Sequence, residues 1–238
     1  MFSLPDLIQI KNKWIHPQAV IGSLWGQLTL SRQQRILDVI SHRDFSVSVV
    51  AENIYDHGNL SAVMRSAEAL GFADFHIIET GERFKESQRT TAGADKWLEV
   101  SKWKSSADCL KKLKDQEVRI YATSLAPQAQ TIESVDFSKP CALVFGNEKS
   151  GISDTVKDLA DACVILPIRG FTQSYNISVA AAMSLYHVYS HKKAQPLSES
   201  QLAVLKAHYI LRTLDSGIDQ MSELIAKGAI SAEGFVKS

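Results

Sequence analysis

Three times along this chain an apolar run gives way to a turn rich in glycine, asparagine or serine, and then to a helical pattern. The segments are 53–71 (NIYDHGNLSAVMRSAEALG), 141–153 (CALVFGNEKSGIS) and 164–186 (VILPIRGFTQSYNISVAAAMSLY). Repeated strand–turn–helix units restrict the chain to an α/β fold, with a mainly parallel sheet and helices on both faces. They also place function. Polar groups after strands and before helices converge on the carboxyl edge of such a sheet, where these folds bind ligands.

The alternation starts at Phe45. Periodicity predicts strands at Ser46–Ala51, Phe75–Glu79, Trp97–Ser101, Val118–Thr123, Pro140–Phe145 and Cys163–Leu166. Helices are predicted at Asn59–Leu70, Ala107–Lys114, from near Ser153, and from Asn176 to about Ser190. Residues 1–44 carry a helical pattern at Ser31–His42, with Ser31 as the expected N-cap. Residues 192–238 carry one at Ser200–Leu214 and shorter ones at Ile218–Lys227 and Ser231–Val236. The expected organisation is a core at 45–191 with helical extensions, 1–44 and 192–238, on either side.

Charge and composition bear on function. A formal net charge of +0 argues against a protein whose whole surface grips nucleic acid, and leaves room for local basic patches. One such region is the first segment, where Lys11, Lys13, Arg32, Arg35 and Arg43 outnumber Asp6 and Asp38. No run approaches the roughly 18 apolar residues of a membrane helix. The first residues lack the layout of a signal peptide. A cytoplasmic protein without a membrane partner is expected. Cys109, Cys141 and Cys163 are scattered without metal spacing, so they read as reduced thiols, and no metal is expected.

Within the first motif, Leu60, Val63, Met64, Ala67 and Leu70 share an apolar face, and Asn59 stands at the expected helix start as a capping residue. Arg65 falls off that face. It could pair with Glu68 or aim its planar fork at a phosphate. In the second motif, Gly146 permits a turn with positive φ or a close backbone approach to a ligand, Glu148 lies just past a strand, and Ser153 suits an N-cap. In the third, Ser174 and Asn176 open a helix after a polar loop. Either could be a simple cap, and together they suit a small-ligand pocket. The sequence has no Gly-x-Ser-x-Gly, no His-Glu-x-x-His and no G-x-G-x-x-G, which lowers the standing of serine hydrolysis, zinc hydrolysis and hydride transfer.

Taken together, N-L-S-A-V-x-R, G-x-E-x-x-G-I and L-P-x-x-G-x-x-Q-S-x-N-I-S-V-A-A-A resemble, in order and spacing, the motifs of the SpoU/TrmH family of RNA ribose 2′-O-methyltransferases. The resemblance covers about Val47 to Tyr189. QSYNISVAAA and the short flanks bring it nearest to members that modify guanosine 18 of tRNA. It implies a C-terminal deep trefoil knot, S-adenosylmethionine as cofactor, tRNA as partner, and a homodimer. It implies catalytic-site roles for Arg65, Asn59, Glu148, Ser174 and Asn176, and cofactor binding by Thr123, Gly146, Leu166 and Tyr175. Lys11, Lys13, Arg32, Arg35, Lys192, Lys193, Lys206 and Arg212 become candidate phosphate contacts. His57-Gly58 replaces the Pro-His usual before the asparagine, and Arg169 and Phe171 occupy loop positions usually apolar. Three other readings stay open: action on ribosomal RNA or another tRNA position, a catalytically silent RNA-binding module, and a nucleotide-dependent small-molecule enzyme. The missing glycine fingerprint speaks against the last.

Overall fold

The computed structural model describes residues 6–81, 93 and 95–230. The described residues divide into two compact units, one spanning Asp44–Gln195 and the other joining 6–43 with 196–230.

The larger unit is a seven-stranded sheet in which every paired strand is parallel. Its strands are β3 (Asp44–Glu52), β4 (Phe72–Ile78), β5 (Glu99–Trp103), β6 (Arg119–Thr123), β7 (Gln130–Thr131), β8 (Cys141–Phe145) and β9 (Ala162–Ile165), β1 and β2 lying in the other unit. Their spatial order is β5-β4-β3-β8-β6-β9-β7. Helices α3 (His57–Ala69), α4 (Ser106–Asp115), α5 (Asp154–Leu159) and α6 (Ile177–His191) complete this unit. The period-two rule for strand side chains divides its core. Val47, Val49, Ala51, Leu143 and Phe145 join Leu60, Val63 and Met64 of α3 and Ala181, Leu185 and Val188 of α6. Val50, Ala142 and Val144 face Cys109, Leu110 and Leu113 of α4 and Val156 of α5. Burial on both faces accounts for the continuous apolar runs of β3 and β8.

The smaller unit contains an antiparallel hairpin, β1 (Ile8–Ile10) with β2 (Lys13–Ile15), and helices α1 (Pro17–Leu24), α2 (Leu30–Ser41), α7 (Glu199–Thr213) and α8 (Gly217–Ala226). Helix α7 packs against both α1 and α2, so the two ends of the chain share one apolar core. Periodicity overlooked the hairpin because its strands have only three residues each, and it overlooked α1, two turns long, as well. The expected cap at Ser31 is displaced. Thr29 has extended backbone, and its hydroxyl accepts the Arg32 amide at 3.3 Å, so α2 begins earlier. The predicted strand starting at Trp97 begins instead at Glu99, with Asp95–Trp97 in a short 3₁₀ turn. The helix expected at Ser231–Val236 lies outside the described residues. Among the described residues no helix is long and apolar enough to cross a membrane.

Candidate active site

The carboxyl ends of β3, β8 and β9 each feed one of the three motif loops. After β3, Asn53 adopts the left-handed conformation (φ 53°), which asparagine tolerates better than most residues. Its Oδ1 accepts the Thr80 amide at 3.0 Å, and its Nδ2 donates to Thr80 Oγ1 at 3.0 Å, tying this turn to the end of β4. Helix α3 then starts at His57, two residues earlier than expected. Asp56, not Asn59, is its N-cap, because the Asp56 carboxylate accepts the Asn59 amide at 2.7 Å. That correction has a consequence. The Asn59 side chain is released from capping and is free to reach the other two motifs.

The loop after β8 closes tightly. Asn147 and Gly151 exchange two backbone hydrogen bonds of 2.9 Å, and Gly151 has φ +69°. Asn147 Oδ1 accepts the amides of Lys149 (2.8 Å) and Ser150 (3.1 Å), while its Nδ2 donates to the Asn53 carbonyl at 2.8 Å. Gly146 is required by close approach and not by positive φ. A Cβ there would meet Gly151 C at 2.4 Å, so the crowding partner is the chain itself. Sequence reading passed over Asn53 and Asn147. Their signal was an asparagine at or just past a strand end, where its side chain can bond nearby backbone. Ser153 caps α5 as expected, accepting the Val156 amide at 3.2 Å.

These loops bring one residue from each motif into a single hydrogen-bonded chain. Asn59 Nδ2 donates to Glu148 Oε1 at 2.9 Å, and Asn176 Nδ2 donates to Asn59 Oδ1 at 3.2 Å. Asn176 is also the N-cap of α6, its Oδ1 accepting from Ser178 N (2.9 Å) and Ser178 Oγ (2.6 Å). Each neutral bond contributes about 0.5–1.5 kcal/mol, and one to a carboxylate more, so the chain orders loops that share no backbone ladder here.

Beside it lies a cavity of about 450 Å³ at the carboxyl ends of β6, β8 and β9. Thr123, Gly146, Glu148, Leu166, Ser174 and Tyr175 all line it. Thr123 Oγ1 is held by the Val144 carbonyl at 3.0 Å, and Tyr175 donates its hydroxyl to the Pro167 carbonyl at 3.0 Å, folding the third loop back on itself. Ile165, Ile168, Ile177 and Ala126 supply apolar walls, and the loop 146–152 supplies backbone polar groups. Such a lining, apolar with a few fixed polar groups, suits a small organic ligand. Lys157 also lines it, hydrogen-bonded to Asp154 at 2.8 Å; that bond raises the lysine pKa and lowers the aspartate's. Among the described residues no cluster of three or more metal-ligating side chains occurs.

Arg65 stands apart. It is exposed on α3, does not line the cavity, and has no hydrogen bond or ion pair among the described residues, Glu68 included. Of the candidate phosphate contacts, Lys13, Arg32 and Lys193 are exposed. Lys11 pairs with Asp219 (2.9 Å) and Arg35 with Asp38 (2.9 Å). Lys206 lies over the Trp25 ring at 3.7 Å, and Arg212 over Tyr209 at 5.9 Å. Lys192 is withdrawn from any such role. It is buried, with its ammonium donating to the Phe137 (3.0 Å) and Lys139 (2.9 Å) carbonyls.

Comparison with known proteins matches residues 46–186 to the SpoU rRNA Methylase family. A tRNA (guanosine(18)-2′-O)-methyltransferase of Borreliella burgdorferi is 36% identical over 166 residues, covering 70% of this chain and 76% of that protein. One from Thermus thermophilus is 34% identical over 158 residues, covering 66% and 81%. The crystal structure of the A. aeolicus TrmH/SpoU tRNA modifying enzyme superposes with a TM-score of 0.61 at 26% identity, covering 84% of this chain and 98% of that one. The chain belongs to the SpoU methylase family.

Proposed function

We propose that this SpoU-family chain transfers a methyl group from S-adenosylmethionine to a ribose 2′-hydroxyl in tRNA, at guanosine 18. The observation that carries the proposal is the Glu148–Asn59–Asn176 chain on the rim of a cavity that also holds Thr123, Gly146, Leu166, Ser174 and Tyr175. The names of the relatives supply the RNA and the position.

The residues present fit the cofactor. A cavity of about 450 Å³ lies within the usual range for small-ligand sites, and the absence of a side chain at Gly146 lets the loop that forms its wall close on Gly151. Leu166 and the isoleucines would flank the adenosyl moiety, with the backbone at Gly146, Leu166 and Tyr175 fixing its polar edges. When bound, S-adenosylmethionine supplies a methyl group made electrophilic by its sulfonium sulfur. The ribose hydroxyl is a poor nucleophile until it loses its proton. Arg65, which has no hydrogen bond or ion pair among the described residues, holds the adjacent phosphate by its fork and, with it, promotes removal of that proton. Asn59, Glu148, Ser174 and Asn176 fix the ribose over the cavity, and such positioning can supply several kcal/mol.

The reading extends to a homodimer and a knot. Helix α6 leaves Val179 (47%), Met183 (42%), Tyr186 (62%) and Tyr189 (55%) exposed along one side, which supports a partner helix face. After β9 the chain returns to set α6 against α3 and β8, on the far side of β6 in the sheet order, the sort of crossing a trefoil knot needs. Exposed Lys13, Arg32 and Lys193 are the remaining simple phosphate contacts.

The test is methyl transfer from labelled S-adenosylmethionine to an unmodified tRNA transcript, run beside one carrying 2′-deoxyguanosine at position 18. Label in the first alone is expected. Equal label in both would move the target nucleotide. Label in neither, but in ribosomal RNA, would refute tRNA as substrate.

A further inference from the structure

We propose that Glu52 is a positioning residue for the cofactor cavity: its buried carboxylate, acting through Ser153, clamps the loop 146–153 that forms the cavity wall. The inference rests on the cofactor reading above.

Glu52 ends β3 and is 1% exposed. Strand alternation sends it, with Ser48 and Val50, toward α4 and α5. A carboxylate taken out of water costs several kcal/mol unless donors replace the lost hydration. Here only hydroxyl and amide donors do so. Its Oε1 accepts from Ser106 Oγ and from Ser153 Oγ (2.7 Å), and its Oε2 accepts the Ser153 amide (2.8 Å). No cation bonds it among the described residues. Were burial the only requirement, an apolar side chain would serve as well or better.

What the carboxylate holds gives it a purpose. Ser153 is the last residue of the loop that starts at Gly146, and residues 146–152 all line the cavity. The other end of that loop is held by the next residue along, since the Asn53 carbonyl accepts from Asn147 Nδ2 at 2.8 Å. Two consecutive residues at the end of β3 therefore grip both ends of the cavity wall. Between those grips sits Glu148, whose bond to Asn59 joins the wall to the other motifs. Register places the clamp on the adjacent strand, Ala51 lying opposite Phe145 in the β3–β8 pair. Ser106 is the contrasting partner. It bonds the same carboxylate from the start of α4 and lies outside the loop.

The experiment is calorimetric titration of S-adenosylmethionine into wild type, Glu52→Met, Glu52→Gln, Ser153→Ala, Ser106→Ala and the Glu52→Met/Ser153→Ala double variant, with a thermal melt of each. Methionine keeps the length and leaves the Ser153 amide without an acceptor. It should weaken the cofactor about tenfold or more, the scale of a lost charged hydrogen bond. Glutamine keeps a carbonyl oxygen for that amide and should recover most of the affinity. Ser153→Ala removes the hydroxyl bond and keeps the amide bond, so it should weaken binding less than Glu52→Met, and the double variant should be no weaker than Glu52→Met, which already lacks both bonds. Ser106→Ala should lower the melting temperature and keep the affinity. Wild-type affinity in folded Glu52→Met, with only a lower melting temperature, would overturn the clamp while leaving the cofactor reading intact. Should Glu52→Met not fold, wild-type affinity in Ser153→Ala would overturn it equally. Wild-type protein that binds no S-adenosylmethionine would overturn both readings.

Discussion

Gly146→Ala is the substitution with the most calculable consequence. The added Cβ would lie 2.4 Å from Gly151 C and 2.5 Å from both Gly151 O and Ile152 N. Ordinary contact begins near 3.4 Å, so backbone must move by about 1 Å. That backbone has little freedom. Gly151 is closed onto Asn147 by two bonds of 2.9 Å, and Ile152 is 4% exposed in the core under α4 and α5. If the core yields, overpacking costs about 1–3 kcal/mol. If the loop opens instead, two hydrogen bonds are lost at about 0.5–1.5 kcal/mol each, which comes to the same range. The first route lowers Tm by about 2–4 °C for each kcal/mol in a chain this long. The second weakens the cofactor by about 5- to 150-fold, at tenfold per 1.4 kcal/mol. Scanning calorimetry and titration with S-adenosylmethionine measure the two shares. Gly151→Ala is the control, because its Cβ meets nothing within 4 Å and only its φ of +69° is penalised, at about 1–2 kcal/mol. A Gly146→Ala protein with wild-type Tm and wild-type cofactor affinity would refute the reasoning.

Three further outcomes are expected. Arg65→Ala, at an exposed position with no hydrogen bond or ion pair among the described residues, should change stability by no more than about 0.5 kcal/mol and cofactor affinity not at all, while cutting turnover by about 100-fold or more; undiminished turnover would remove Arg65 from the mechanism. Tyr186→Glu, in the exposed stripe of α6, should yield monomers in sedimentation velocity, and a wild-type protein that sediments as a monomer would refute the dimer. Burial pushes the Cys109 and Cys141 thiols up to about 12 from 9.0. The folded state then binds more protons than the unfolded one above pH 9, so stability should be full below that pH and fall as pH rises toward 12. Denaturant titrations from pH 8 to 10.5 check the sign, and a midpoint that rises across that range would contradict it.

The larger unit was legible because its strands are buried on both faces, and such strands leave long apolar runs that need no knowledge of their neighbours. Val47 to Ala51 and Cys141 to Phe145 are of this kind. The smaller unit was less legible for the opposite reason. Ile8, Ile10 and Ile15 are fully buried, yet they sit in three-residue strands that carry no period of their own, and β1 packs against α7 and α8, which lie near the other end of the sequence. The same contrast runs through the site. Glu148, Ser174 and Asn176 could be singled out because each follows a strand and precedes a helix. Asn59 was read as a cap, since a sequence cannot say which of two polar residues three apart will take the free amides. Asp56 takes the Asn59 amide, and only that choice releases Asn59 for Glu148 and Asn176. Glu52 gave less sign still. A glutamate at the end of a buried strand is ambiguous until the fold brings up Ser106 and Ser153, 54 and 101 residues further along. The residues hardest to find in a sequence are thus those whose task is to hold others, because their partners are set by topology and not by spacing. The motif supplies the groups that would meet the substrate, and the ends of the neighbouring strands hold those groups in place.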